Sequence, residues 1–214
     1  MKAAHITTLF CMLLLGVGSS WAQSKETRIS KLVVEKKKKE IFNSRDSSIT
    51  LIIDTLILKD KSSLQFYGKK NVKLIVQHAQ IGKNVFISGI GAQNNASNFD
   101  INIRLYELGS LYVLAKGQDA TNGTRTFPNG DGGQIHFNYF TDGITPQTTN
   151  KKEKNYLHTD VSPGGLRVVA STDLRNIYSQ IALSSPGLRG VPQGQIYSGS
   201  PGKEGKVSIQ AISK

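Results

Sequence analysis

The segment Ile101-Asn102-Ile103-Arg104-Leu105-Tyr106 decides the fold class, because its apolar residues alternate strictly with polar or ring-bearing ones. Successive side chains of an extended strand point to opposite faces, so this beat marks a strand with one face buried and one wet. It recurs on both sides of the segment. Leu64 and Phe66 flank Gln65; Ile135, Phe137 and Tyr139 alternate with His136, Asn138 and Phe140; Val207 and Ile209 alternate with Lys206, Ser208 and Gln210. Beyond residue 22 no stretch carries apolar residues at helical spacing over three turns with capping residues at its ends. The nearest approach, Ile29 to Ile41, contains Leu32-Val33-Val34, whose β-branched pair favours a strand. The chain is predicted to be all-β.

Two closures suit such strands. A β-sandwich, the alternative, needs hairpins, usually with two-residue Asn-Gly or Asp-Gly turns between alternating runs. Here Asn122-Gly123, Asn129-Gly130 and Asp131-Gly132 crowd into one loop instead of punctuating successive strands. A parallel β-helix needs short strands, polar or glycine corners, and loops of unequal length leaving the same corner. Tyr67-Gly68-Lys69-Lys70-Asn71 and Gln80-Ile81-Gly82-Lys83-Asn84 read as such corners, and Leu64, Val85 and Leu105 recur at steps of 21 and 20. All six prolines and 14 of the 21 glycines fall after residue 116, which places long Gly/Pro-rich loops in the second half. Ser-Pro-Gly occurs at 162–164, 185–187 and 200–202, and Gly-Gln-Ile at 133–135 and 194–196, so a turn-then-strand unit is reused. In two cases Ser-Pro-Gly leads to a basic residue and a strand, at Arg167-Val168-Val169-Ala170 and Lys206-Val207-Ser208-Ile209.

Short apolar strands, the phrase Leu111-Tyr112-Val113-Leu114-Ala115-Lys116-Gly117, and glycine loops returning to Gly132-Gly133-Gln134-Ile135-His136-Phe137 resemble small secreted bacterial right-handed parallel β-helices of the pectin-lyase-like type. The likeness runs from about Ile49 to Ile209. It implies a solenoid, and it raises the prospect of a polysaccharide lyase or glycoside hydrolase acting on acidic glycans. Such enzymes use clustered aspartates that hold calcium beside a basic proton acceptor, or paired carboxylates. The residues available for that chemistry are Asp119, Asp131 and Asp142, at steps of 12 and 11 in the glycine-rich region, and His136. Turn aspartates bonded to backbone N–H groups are the plainer reading of the three. His136 alternates outward from its strand as a surface residue would.

The N-terminus reads as an export signal. Lys2 precedes an apolar run from Leu9 to Val17, and Ser20-Trp21-Ala22 sets small residues for cleavage between Ala22 and Gln23. The expected organisation is a signal peptide over 1–22, a basic cap over 23–48 and one β-helix domain over 49–214, in a periplasmic, outer-surface or extracellular protein. Phe10 before Cys11 is too bulky for a lipobox, and no later stretch has the roughly 18 apolar residues of a membrane span. Cleavage removes Cys11, so neither a disulfide nor a thiolate metal site is available afterwards. His78, His136 and His158 lack metal spacing, and Gly89-Ile90-Gly91 and Gly130-Asp131-Gly132-Gly133 lack the following helix of a phosphate cradle. No cofactor is expected.

Charge is the best functional lead. After cleavage 26 basic residues face 15 acidic ones, a balance that attracts polyanions, outside the cytoplasm acidic polysaccharide or a cell-surface component rather than nucleic acid. The candidate binding residues are Lys36, Lys37, Lys38 and Lys39, a ladder of Lys69, Lys70, Lys73 and Lys83 on consecutive coils, and Tyr67 and Phe86 for stacking on sugar rings. Lysines that merely protect strand edges from aggregation would look similar. A non-enzymatic role in adhesion or anionic-glycan binding is the leading expectation, with a lyase or hydrolase and a structural surface module as the competitors.

Overall fold

The computed structural model describes residues 26–120, 127–166 and 200–213. The expected signal segment with Ala22 and Gln23, the Arg167-Val168-Val169-Ala170 strand, Ser185-Pro186-Gly187 and Gly194-Gln195-Ile196 lie outside the described residues. Among those residues there are eleven strands and no helix. The odd-numbered strands are β1 (Glu26–Val34), β3 (Ser48–Leu58), β5 (Asn71–Ile81), β7 (Asn98–Leu108), β9 (Ile135–Phe140) and β11 (Val207–Ile212). The even-numbered ones are β2 (Lys39–Phe42), β4 (Ser63–Tyr67), β6 (Val85–Ile90), β8 (Ser110–Leu114) and β10 (Tyr156–Asp160).

The chain lays one odd and one even strand per coil. The odd strands form a six-stranded sheet, sheet A, in order β1-β3-β5-β7-β9-β11, and the even ones a five-stranded sheet, sheet B, in order β10-β8-β6-β4-β2. Every strand ladder is parallel. This is a parallel β-solenoid, and the sandwich alternative, which needs antiparallel neighbours, is excluded. The solenoid starts earlier than expected: β1 and β2 pair with β3 and β4, so residues 26–48 supply a coil rather than a cap outside the stack.

The register corrects the coil length read from sequence. Leu64 pairs with Ile87 and Ile87 with Val113, steps of 23 and 26. Val85 sits instead between Ser62 and Leu111, and Leu105 belongs to the other sheet, opposite Ala79. Apolar residues about 20 apart therefore lie either two places out of register on one wall, as Leu64 and Val85 do, or on different walls of the tube, as Val85 and Leu105 do.

Those walls make the core. Leu51, Leu74, Ile101 and Phe137 form one in-register column of sheet A, and Leu64, Ile87 and Val113 face it from sheet B, each no more than 1 % exposed. Burying each such side chain contributes about 1.5–3 kcal/mol. Phe42 and Phe66 stack one rung apart with centroids 5.0 Å apart, and Phe99 meets Phe66 edge-on at 5.9 Å. That edge contact needs Gly89 opposite: a Cβ there would lie 2.4 Å from Ser97 Oγ and 2.9 Å from Phe99 Cζ.

The two corners differ. The first, from odd to even strand, is short in the early coils, and the second holds the longest intervals between described strands, before β9 and β11. There Ser-Pro-Gly repeats meet: Gly202 N–H donates to the Gly164 carbonyl at 3.1 Å, and Gly164 N–H to the Gly130 carbonyl at 2.9 Å. The loops therefore stack like the strands do. Among the described residues no helix is long and apolar enough to cross a membrane.

Candidate functional site

The first corner gathers cations. The step of 24 between β1 and β3 continues through it, because Val34 pairs with Leu58 before the turn and Lys39 with Ser63 after it. Glu35-Lys36-Lys37-Lys38 therefore lies over Lys59-Asp60-Lys61-Ser62, and the next coil adds Gly82-Lys83-Asn84. Lys37, Lys61 and Asn84 hold φ of 61°, 59° and 54°, so the same left-handed turn is built three times. Lys37 N–H donates to the Asp60 carbonyl at 3.1 Å and Lys61 N–H to the Lys83 carbonyl at 2.8 Å, which fixes each turn to the coil beyond it.

The acids at this corner are already engaged. Glu35 pairs with Lys59 at 2.7 Å, and Asp60 Oδ1 accepts the Lys83 backbone N–H at 2.8 Å. Among the described residues Lys36, Lys37, Lys38, Lys39, Lys61 and Lys83 form no ion pair. All six are exposed. Lys59 and Lys61 escaped the sequence reading; their signal is the 24-residue step from Glu35 and Lys37.

The expected ladder of Lys69, Lys70, Lys73 and Lys83 does not exist. Lys83 belongs to the first corner, whereas Lys69 and Lys70 lie at the second, because the coil runs through β5 between them. Lys69 is wholly buried, its Nζ donating to the Ser44 carbonyl and hydroxyl and to the Asp46 carbonyl, so it ties down the corner of the preceding coil. Lys70 is exposed, and Lys73 projects from the outer face of sheet A with Asp100 3.8 Å away. That face carries a shallow trough of about 430 Å³ bordered by Lys73, Asp100, His136 and amide side chains, with its cation balanced by its acid.

Beside the lysine corner, the outer face of sheet B is aromatic. Lys39, Ser63, Phe86, Tyr112 and His158 occupy one in-register row, a residue per coil. Phe86 and Tyr112 stack at 5.0 Å, His158 follows at 5.7 Å, and Tyr156 meets the Tyr112 ring edge-on at 5.9 Å. Lys151 lies 5.7 Å over Tyr112. Tyr67 is on the same face, 41 % exposed, but four residues along the ladder from the row of Phe86, about 13 Å away. In the adjoining row, burial would push the Asp160 carboxyl up, but Ser162, whose N–H donates at 2.9 Å, and the Lys116 and His158 charges outweigh it and hold the group below its ordinary value.

The aspartates do not converge. Asp119 accepts the Gly165 N–H and Asp131 the Lys203 N–H, each at 2.7 Å, so both hold loops of neighbouring coils together. Asp142 pairs with Arg104 at 3.0 Å beyond the other end of β9, about 20 Å along the strand from Asp131. His136 is exposed on sheet A, as its alternation predicts. No group of three His, Cys, Asp or Glu side chains suited to a metal ion occurs among the described residues. No protein-family model, curated protein or solved structure matches this chain.

Proposed function

We propose that this protein is an exported, non-catalytic β-solenoid that binds anionic glycans along its first corner and the adjoining aromatic face of sheet B. One observation carries the reading: three successive coils deliver unpaired lysines to a single corner, beside a row of stacked rings. Two details favour selection of this charge over edge protection. Lys39 opens the edge strand β2 and Lys36, Lys37 and Lys38 turn into it, but Lys61 and Lys83 stand at corners of interior coils, where no edge needs blocking. Lys37 and Lys61 also adopt a left-handed conformation that costs a side-chain-bearing residue about 1–2 kcal/mol and glycine almost nothing. The N-terminal leader supports export, and the pectin-lyase-like resemblance supports a glycan as the polyanion. Binding is favoured over cleavage because Asp119, Asp131 and Asp142 are each spent on a structural partner.

The test is retention on an anionic polysaccharide column with a salt gradient. Exposed charges are screened beyond about 10 Å at 0.1 M salt, so the protein is expected to elute as salt rises, and a variant with Lys36, Lys37, Lys38 and Lys61 changed to Gln to emerge in the wash. Salt-independent elution, or equal retention of the variant, refutes the proposal. Release of unsaturated or reducing ends from the polysaccharide, abolished by Asp131→Ala, would replace binding with cleavage.

A further inference from the structure

We infer that the space over Ser63 is a subsite for one ring of a polyuronate, stacked on Phe86 with its carboxylate toward Lys39 and Lys61. This rests on the glycan-binding reading and specifies its ligand. Among the described residues rings of neighbouring coils stack face to face three times: Phe42 on Phe66 at 5.0 Å and 12°, Phe86 on Tyr112 at 5.0 Å and 23°, and His78 on Tyr106 at 4.0 Å and 20°. In the outer row Tyr112 covers one face of Phe86. The opposite face looks along the solenoid axis toward Ser63, whose side chain is too short to reach it. Among the described residues no ring or cation stacks on that face, and Phe86 is 36 % exposed.

Lys39 closes the far side, one rung beyond Ser63. Two rungs separate Lys39 from Phe86, about 9.6 Å, enough for one ring between an aromatic face and an ammonium group. Lys61 stands two residues before Ser63 on the same coil. The floor supplies the Ser63 hydroxyl and, two residues on, the Gln65 amide, whose Oε1 accepts from Tyr67 Oη at 3.2 Å. A pyranose offers C–H groups to the negative face of an aromatic ring and hydroxyls to such a floor, and a uronate adds the anion. A flexible anion without rings would satisfy the lysines and leave Phe86 unused.

The test compares a hexauronate with an inorganic polyphosphate of similar charge on three proteins: the unaltered chain, Phe86→Ala, and Ser63→Phe, which fills the space with a ring of the protein's own. Both substitutions are at the surface, and thermal melts confirm folding. The uronate should bind three- to tenfold more weakly to each variant, matching the worth of one stacked pair, while polyphosphate binding stays unchanged. Uronate binding unmoved by either substitution overturns the subsite and leaves the lysine corner standing. Absence of both ligands from the unaltered protein overturns corner and subsite together. Stronger binding of an acidic tyrosine-containing peptide than of the uronate overturns the sugar assignment.

Discussion

Replacing Lys69 by Met keeps most of the buried stem and deletes the ammonium group. Three acceptors lose their donor: the Ser44 carbonyl, the Ser44 hydroxyl and the Asp46 carbonyl. Hydrogen bonds to a charged group contribute about 1.5–3 kcal/mol each, so three independent losses would sum to well over 4 kcal/mol. Two effects reduce that figure. Ser44 and Asp46 are exposed, so their oxygens regain water, and the thioether no longer has an ammonium to desolvate. The net is about 2–4 kcal/mol, or a fall of roughly 5–15 °C in Tm for a domain of this size. Thermal and urea unfolding of Lys69→Met beside Lys70→Met measure it, because Lys70 is exposed next door and its loss should shift Tm very little. Equal melting of the two variants would refute the view that Lys69 pins the corner below it.

Gly89→Ala is expected to destabilise by about 1–3 kcal/mol, since its Cβ would press on Ser97 and Phe99, and urea unfolding checks the figure. Asp160 gives a pH signature. Its carboxyl lies below the ordinary value of 3.8 in the folded chain, so its contribution is complete above that value and lost as pH falls through the lower folded one. Asp160→Asn should therefore flatten the stability loss on acidification below about pH 4, and parallel unfolding curves for the two proteins over that range would refute the assignment.

The strands were legible where one face is wet. The alternation in Ile101 to Leu105 and Ile135 to Tyr139 predicts the inward and outward sides that β7 and β9 show. Coil length was not legible from the same residues, because a tube with two walls repeats its apolar beat on each and sequence spacing does not say which wall a residue joins. The site was misread for want of that register. Lys69 and Lys83 are only 14 residues apart, less than one coil, so they cannot stack; with the true steps of 23 to 27 Lys83 falls in line with Lys36 and Asp60, and Tyr112 with Phe86. The burial of Lys69 had no local signal, since its acceptors are backbone and hydroxyl oxygens 23 and 25 residues away. The aspartates were legible as structural rather than catalytic residues, though Asp119 and Asp131 accept from the next coil's backbone and not their own, and Asp142 pairs with the Arg104 side chain.

The unequal coils also separate what can vary from what is fixed. Partners in sheet A lie 24 residues apart between β1 and β3 but 72 apart between β9 and β11. A solenoid coil touches only its neighbours, so lengthening or trimming the distal loops leaves the spacing of Lys37, Lys61 and Phe86 untouched. The two ends of the molecule are thus free to diverge independently, one as a constant rack of charges and rings, the other as a surface open to wholesale remodelling.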